Sequence, residues 1–379
     1  MRSSNSSSLA QIRIRARWQL ARLLLKVRPR KEARRFAVSV VKVDRLGDFV
    51  LAVSAIRLLT EKFGQENCLL VLSPFAQELA CREFPDTPRL IMPPFVPKKL
   101  RRLVPLWQKQ RKELSGLFCE HLVSMRHQPS LYRDAFLNWI PSRKRHGLTG
   151  RFPFCDFSGG SFPFDETILF PKSAPVGCCL ELESHRQVLE TVLQRPVTSD
   201  EIKPRLHSFK RHTGGNLLVA PFASERVKDY PTTSLIAALH HFQRQQSLPI
   251  DVIVAPDQAS RLPEFEQLGK RSGVLFRSAT VCPSLGEYFH AVACAEAVLT
   301  MDSASAHLAG ALDKPTVTLL GGGHGQMFGP WWHKPDRQVW LRIEIACQNC
   351  NWQCTQPENS CLTRISPELI ASSLLRMLA

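Results

Sequence analysis

Residues able to do chemistry crowd into one stretch, TMDSASAHLAGAL at 300–312, where a short apolar run passes through Asp302 directly into Ser303, Ala304 and Ser305 and then His307. Small residues at the start of a helix leave backbone N–H groups uncovered, and a helix N-terminus with its positive dipole end suits a phosphate. Two alternatives stand beside that reading: Asp302 caps the helix, and His307 is a satisfied core histidine. Two further loops carry related possibilities. The run at 217–220 leads into PFASERVKDYP, which holds Ser224 and Lys228, and the run at 316–320 leads into Gly321, Gly322, Gly323, His324 and Gly325. A lone loop lysine is usually a solvated charge and a glycine run usually a turn. The glycines would also let backbone approach a ligand closely. Near the start, Gly47 and Asp48 close the loop DRLGD. Asp48 there either caps the next helix or accepts a proton from a hydroxyl across a cleft, with Asp44 as the rival carboxylate.

Cys347, Cys350, Cys354 and Cys361, spaced C-x2-C-x3-C-x6-C, are close enough in sequence to hold zinc or iron as thiolates, although the spacing matches no common zinc module. Unligated thiols are the alternative. Arg143, Lys144 and Arg145, with the basic stretch 98–112, could meet anionic groups, or simply be solvated surface.

These residues need elements to hold them. The β-branched run 36–43, the DRLGD loop and the helical pattern 49–63 predict strand, loop and helix. Apolar runs at 68–72, 121–125 and 167–170 alternate with helical segments, including 98–112 and 181–194. In the second half, runs at 217–220, 251–255, 274–276, 298–301 and 316–320 alternate with helices, the pattern of a parallel sheet. Such sheets bind ligands beyond the carboxyl ends of their strands, where the candidate loops fall. The fold class is α/β, with a basic extension at 1–35, one Rossmann-like domain at 36–195, a linker over 195–213, a second such domain at 205–345, and a cysteine-bearing tail with a final helix at 346–379. No internal repeat is visible.

At 379 residues and 44% hydrophobic content, two cores are expected. No apolar run approaches the length of a membrane span, and the longest stretch near the start, Leu23 to Leu25, also excludes a secretory signal peptide. Much of the net charge of +17 lies before Phe36, where eleven Lys or Arg face the single acid Glu32. That segment suits an anionic membrane or nucleic acid, a solvated tail, or an organelle transit peptide. Wound as a helix, 11–28 gives a mixed wheel rather than a clean amphipath. Most of the twelve cysteines are scattered, which fits a reducing cytoplasm.

Taken together, VVKVDRLGDFVLAVSAIRLL, VAPFASERVKDYP, TMDSASAHLAGALDKPTVTLLGG and the later CQNCNWQC with CLTRISPELI resemble glycosyltransferase family 9, the heptosyltransferases, over most of 36–375. The resemblance implies a GT-B fold, two Rossmann-like domains facing across a cleft, and transfer of heptose from ADP-heptose with inversion. It implies Asp48 as general base, Lys228 with Ser224 on the donor phosphates, Asp302 on the donor sugar, backbone donors from Ser303, Ala304 and Ser305, and His307 supporting that loop. Where the family usually has Thr-Gly this chain has Ser303 and Ala304, and Tyr230 stands where tryptophan is common.

On this resemblance no metal is required for catalysis, since Lys228 and a helix dipole would stabilise the leaving diphosphate. Some protein-modifying relatives carry iron on four cysteines, so a structural zinc or iron is expected as an option at Cys347, Cys350, Cys354 and Cys361. The expected partners are an ADP-sugar, an anionic lipid-linked glycan of the lipopolysaccharide inner core bound in part by Arg143, Lys144 and Arg145, and the inner membrane surface from the cytoplasmic side. A protein acceptor is the second enzyme reading. A nucleic-acid-binding scaffold finds no matching module, and a nucleotide-sugar binder without catalysis is argued against by the retained Asp48.

Overall fold

The computed structural model describes residues 28–92, 100–126, 137, 139–149, 164–209, 212, 214–356 and 358–379. Most of the basic extension, and Lys98, therefore lie outside the described residues.

Two six-stranded parallel sheets form the frame. The first contains β1 (Arg34–Lys42), β2 (Cys68–Leu72), β3 (Arg89–Ile91), β4 (Leu117–Ser124), β5 (Ser142–Thr149) and β6 (Glu166–Leu169), in the order β3-β2-β1-β4-β5-β6. The second contains β7 (Leu217–Ala220), β8 (Ile250–Val254), β9 (Phe276–Val281), β10 (Ala297–Met301), β11 (Thr316–Leu319) and β12 (Gln338–Leu341), in the order β12-β11-β10-β7-β8-β9. Counted within each sheet, both follow the doubly wound order 3-2-1-4-5-6. That order reverses between the first and fourth strands and opens a crevice there at the carboxyl edge. The crevice lies between β1 and β4 in the first sheet and between β7 and β10 in the second.

Among the described residues, the α-helices longer than one turn are α1 (Leu46–Phe63), α2 (Gln77–Glu83), α3 (Leu100–Leu114), α4 (Leu180–Leu193), α5 (Thr232–Gln243), α6 (Leu262–Arg271), α7 (Leu285–Cys294), α8 (Ala304–Ala311) and α9 (Pro367–Leu378). Central strands are continuous apolar runs because both faces are covered, and Val38, Val40, Leu70, Val219 and Leu299 are fully or almost fully buried. One apolar cluster joins the halves, running from Val38, Phe49 and Ile56 to Leu308, Ala309 and Trp331. The segment between α4 and β7 is pinned to the first domain. Buried Glu83 accepts from the His207 and Ser208 backbone N–H groups at 3.1 and 2.9 Å, and Ser54 Oγ donates to Lys203 O at 2.7 Å.

Several expected boundaries shift for physical reasons. Helix α1 starts at Leu46, so Asp48 lies in its first turn instead of closing the loop, where its carboxylate meets the helix dipole. β4 starts four residues before the expected 121. β9 was expected at 274–276 but runs Phe276–Val281, because an edge strand such as FRSATV carries no apolar signature. β5, in the polar sequence SRKRHGLT, and the short β12 were not anticipated.

Candidate functional site

At the second crevice, Ala220 of β7 pairs with Thr300 of β10, so the chain leaving each strand enters neighbouring space. After β7 the loop is folded by Asp229: its Oδ1 accepts from Ala223 N–H at 2.7 Å and its Oδ2 from Arg261 Nη2 at 2.5 Å. This sets the short turn Arg226–Lys228, and the Lys228 ammonium stands 5.5 Å from the Trp352 ring centre. After β10, buried Asp302 precedes α8, whose N-cap is Ser303. Ser303 Oγ accepts from Ser305 N–H at 3.3 Å, and Ser305 Oγ is bonded to the hydroxyl of the partly buried Tyr288. Ser305 thus spends its N–H on the cap and its hydroxyl on Tyr288. Burial pushes the Asp302 carboxyl up, opposed by the nearby Lys228 charge.

His307 lies one turn into α8 and is buried. Its Nδ1 accepts from Trp331 Nε1 at 3.1 Å, with the two rings stacked at 15°. Burial pushes the imidazole down to about 4, against the pull of Asp48 and Glu181 and with the help of Lys228. It is therefore neutral at pH 7, and with Nδ1 accepting, its proton sits on Nε2. His307 is a core histidine in its packing and a fixed N–H donor in its chemistry. Asp48, from the first domain, and Lys228, from the second, thus act on the imidazole in opposite directions.

The two domains meet here through Gly47. A methyl group in place of its hydrogen would stand 3.0 Å from His307 Cδ2 and 3.4 Å from Ala304 Cα, so glycine lets α1 and α8 approach closely. Asp48 Oδ2 accepts from the Arg45 backbone N–H at 3.1 Å, which makes it a cap as well as a candidate base. Asp44, the rival, is buried, with its Oδ2 3.4 Å from Lys42 Nζ.

Lys42 and Glu181 were not singled out from sequence. Lys42 Nζ, fully buried, donates to Glu181 Oε1 at 2.5 Å and to Met125 O at 2.7 Å. Burial opposes the charge, but Glu181, Asp44 and Asp48 outweigh it and raise the pKa. Glu181 opens α4, and its backbone N–H reaches Met327 O at 3.0 Å in the second domain. One signal was visible: a lysine inside an otherwise apolar central strand requires a buried partner.

Arg143, Lys144 and Arg145 are not brought to this site. They occupy the amino half of β5, where register through β4 places Lys144 level with Val38 of β1. From Val38 to the end of β1 is about 13 Å at strand rise. Their charges are met locally: Arg143 by Glu120 at 3.7 Å, Lys144 by Glu166 at 2.7 Å, and Arg145 by Asp165 at 3.8 Å. In the glycine loop, Gly321 and Gly323 lie close against an indole, since a Cβ there would fall 2.4 and 2.3 Å from Trp352.

Trp352 comes from the cysteine-bearing tail, which also ties Asn359 Nδ2 to Val227 O at 2.6 Å. Cys347, Cys350, Cys354 and Cys361 line one small cavity with Gly322, and burial pushes the Cys361 thiol up. Among the described residues no three or more His, Cys, Asp or Glu are arranged to hold a metal ion. The donor chemistry suits zinc or iron, while the present arrangement is not a closed ligand shell. Among the described residues no helix is long and apolar enough to cross a membrane.

Comparison with known proteins follows this geometry. The family model for glycosyltransferase family 9 (heptosyltransferase) matches residues 131–358. No curated protein matches the chain in sequence. Among solved structures, Escherichia coli heptosyltransferase WaaC with ADP-2-deoxy-2-fluoro heptose is similar at 17% identity and TM-score 0.58, over 91% of this chain and 99% of that one. A family 9 glycosyltransferase from Veillonella parvula is similar at 14% identity and TM-score 0.67, over 93% and 99%. The iron-containing dodecameric glycosyltransferase TibC from enterotoxigenic E. coli is similar at 14% identity and TM-score 0.52, over 93% and 78%. The architecture shared with WaaC is the GT-B fold expected from the sequence.

Proposed function

The chain belongs to glycosyltransferase family 9, and from that premise we propose that it moves heptose from ADP-heptose to an acceptor hydroxyl with inversion, in lipopolysaccharide inner-core synthesis. The observation that carries this reading is the close approach, at Gly47, of the first turn of α1, which holds Asp48, to His307 and Ala304 at the start of α8 in the other domain. Asp48 takes the proton of the acceptor hydroxyl as it attacks the anomeric carbon. Lys228, Ser224 and the α8 N-terminus, with Ser303 and Ala304, receive the leaving diphosphate. Asp302 holds the donor sugar, and His307 offers its Nε2 proton within the same crevice. Closure of the two sheets over the donor limits its hydrolysis. WaaC, whose structure contains an ADP-sugar analogue, supports the choice of donor.

The acceptor in this reading is an anionic lipid-linked glycan met at the cytoplasmic face of the inner membrane. Support for a surface contact comes from exposed Arg30, Lys31, Arg34, Arg35, Arg111 and Lys112 at the amino edge of the first sheet, knit together by Arg30 N–H on Ser115 O at 2.8 Å. A protein acceptor is the second reading, favoured by four cysteines on one cavity and by likeness to an iron-containing heptosyltransferase. In either case these thiolates are the residues that would hold a structural zinc or iron and brace the tail against the Lys228 loop. Metal analysis of the purified protein, and of Cys350→Ser, tests that part.

The activity test mixes ADP-heptose with a heptose-deficient inner-core acceptor and follows ADP release and product mass. The wild type should turn over, and Asp48→Ala should lose roughly 10²- to 10⁴-fold in rate. Equal rates in the two would remove Asp48 as base, and heptosylated protein in place of glycan would select the second reading.

A further inference from the structure

Arg45 belongs to the first domain, yet its guanidinium lies on the second domain's loop. Its Nη1 donates to Ser224 Oγ at 2.6 Å, and its Nη2 stands 3.5 Å from Glu225 Oε1. Its backbone N–H is held by Asp48 Oδ2, so the helix turn that presents Asp48 also fixes the root of this side chain. The side chain is 60% exposed and Glu225 is 47% exposed, a setting in which an ion pair contributes little to stability. A guanidinium, by contrast, matches two phosphate oxygens with its forked donors. Arg45 thus contacts the two residues just before the turn Arg226–Lys228, so it meets the same loop that carries Ser224 and Lys228, the two side chains assigned to phosphate.

Resting on the transferase reading above, we infer that Arg45 is a second cation for the β-phosphate of the bound nucleotide, supplied from the facing domain, and that it leaves Ser224 for the phosphate when the donor is bound. In the displacement, the acceptor oxygen bonds to the anomeric carbon as the bond from that carbon to the β-phosphate oxygen breaks. The bonding electron pair stays on that oxygen, and the acceptor proton passes to Asp48. Lys228 and Arg45 meet the added charge from opposite sides of the cleft. Since Arg45 and Asp48 share one helical turn, the diphosphate that draws in the guanidinium also seats the base. Glu225 holds Arg45 in place between turnovers.

The test is calorimetric titration of the full-length wild type, Arg45→Gln and Arg45→Lys with ADP and, separately, AMP. Arg45→Gln should weaken ADP about tenfold, in line with loss of a charge-assisted bond, and leave AMP within about twofold, with Arg45→Lys in between. Equal ADP affinity in wild type and Arg45→Gln overturns the inference. So does an equal loss for ADP and AMP, which assigns Arg45 a strap role, or tighter ADP binding, which makes it a lock on the empty site. A wild type that binds neither nucleotide removes the transferase reading itself, and the inference with it.

Discussion

The two crevices share a strand order and differ in polarity. At the carboxyl edge of the first sheet, Asp44 and Glu181 flank one fully buried cation, Lys42, and Asp48 lies in the first turn of the helix that follows. At the second, Lys228 and the start of α8 supply positive character, with Asp302 the nearby carboxylate. The same chain path thus carries different charge in the two sheets, carboxylates about a buried lysine at one edge and a lysine beside a helix N-terminus at the other. His307 and Gly47 join them: the imidazole packs on Trp331 in the second domain, and the glycine brings α1 against it from the first. Burial enforces the difference, because a desolvated lysine or carboxylate is tolerated only beside its partner.

Breaking the first edge should have the largest effect. Lys42→Met leaves Glu181 and Asp44 buried without their cation, and should destabilise the protein by about 3–5 kcal/mol in urea unfolding. A loss under about 1 kcal/mol would show that the carboxylates need no cation and that the polarity contrast is not built into the core.

The junction is sharpened by pH. The unfolded chain protonates His307 near its ordinary value of 6.5, whereas the folded chain does so only near 4. The unfolded state therefore binds more protons in that window, so stability is full above about 6.5 and falls as pH drops toward 4. The contribution is roughly 3 kcal/mol for this one group. Stability curves of wild type and His307→Gln should converge as pH falls. Parallel curves would mean that the imidazole is not held neutral.

The smallest effect is expected away from both edges. Lys144→Ala removes a half-exposed pair with Glu166 and should cost under about 1 kcal/mol, with ADP affinity unchanged. A substantial loss of acceptor turnover in this variant would restore the basic tripeptide to the site.

The second edge was the more legible in sequence. β7 falls at the expected residues, β10 and β11 lie within a residue of theirs, and the loops after β7 and β10 carry Lys228 and Asp302 as expected. Their strands are short apolar runs buried on both faces, and their helix start is marked by small residues and a Ser cap. The first edge hid its logic. Lys42 and Glu181 are 139 residues apart, and only the fold, which packs α4 against α1 and β5, brings them together. The tripeptide at 143–145 hid its neighbours for the same reason: only strand pairing sets Glu120, Asp165 and Glu166 beside this run of cations. The glycine run stayed open between a turn and a ligand loop because no local pattern reveals that Trp352 folds back onto it.

The central claim is that the second crevice binds the diphosphate of an adenine nucleotide through Lys228. Its most direct test is calorimetric titration of wild type and Lys228→Ala with ADP, UDP and GDP. Selective ADP binding by the wild type, weakened tenfold or more in the variant, is the predicted result. Equal affinity in both proteins, or no nucleotide binding at all, would contradict it.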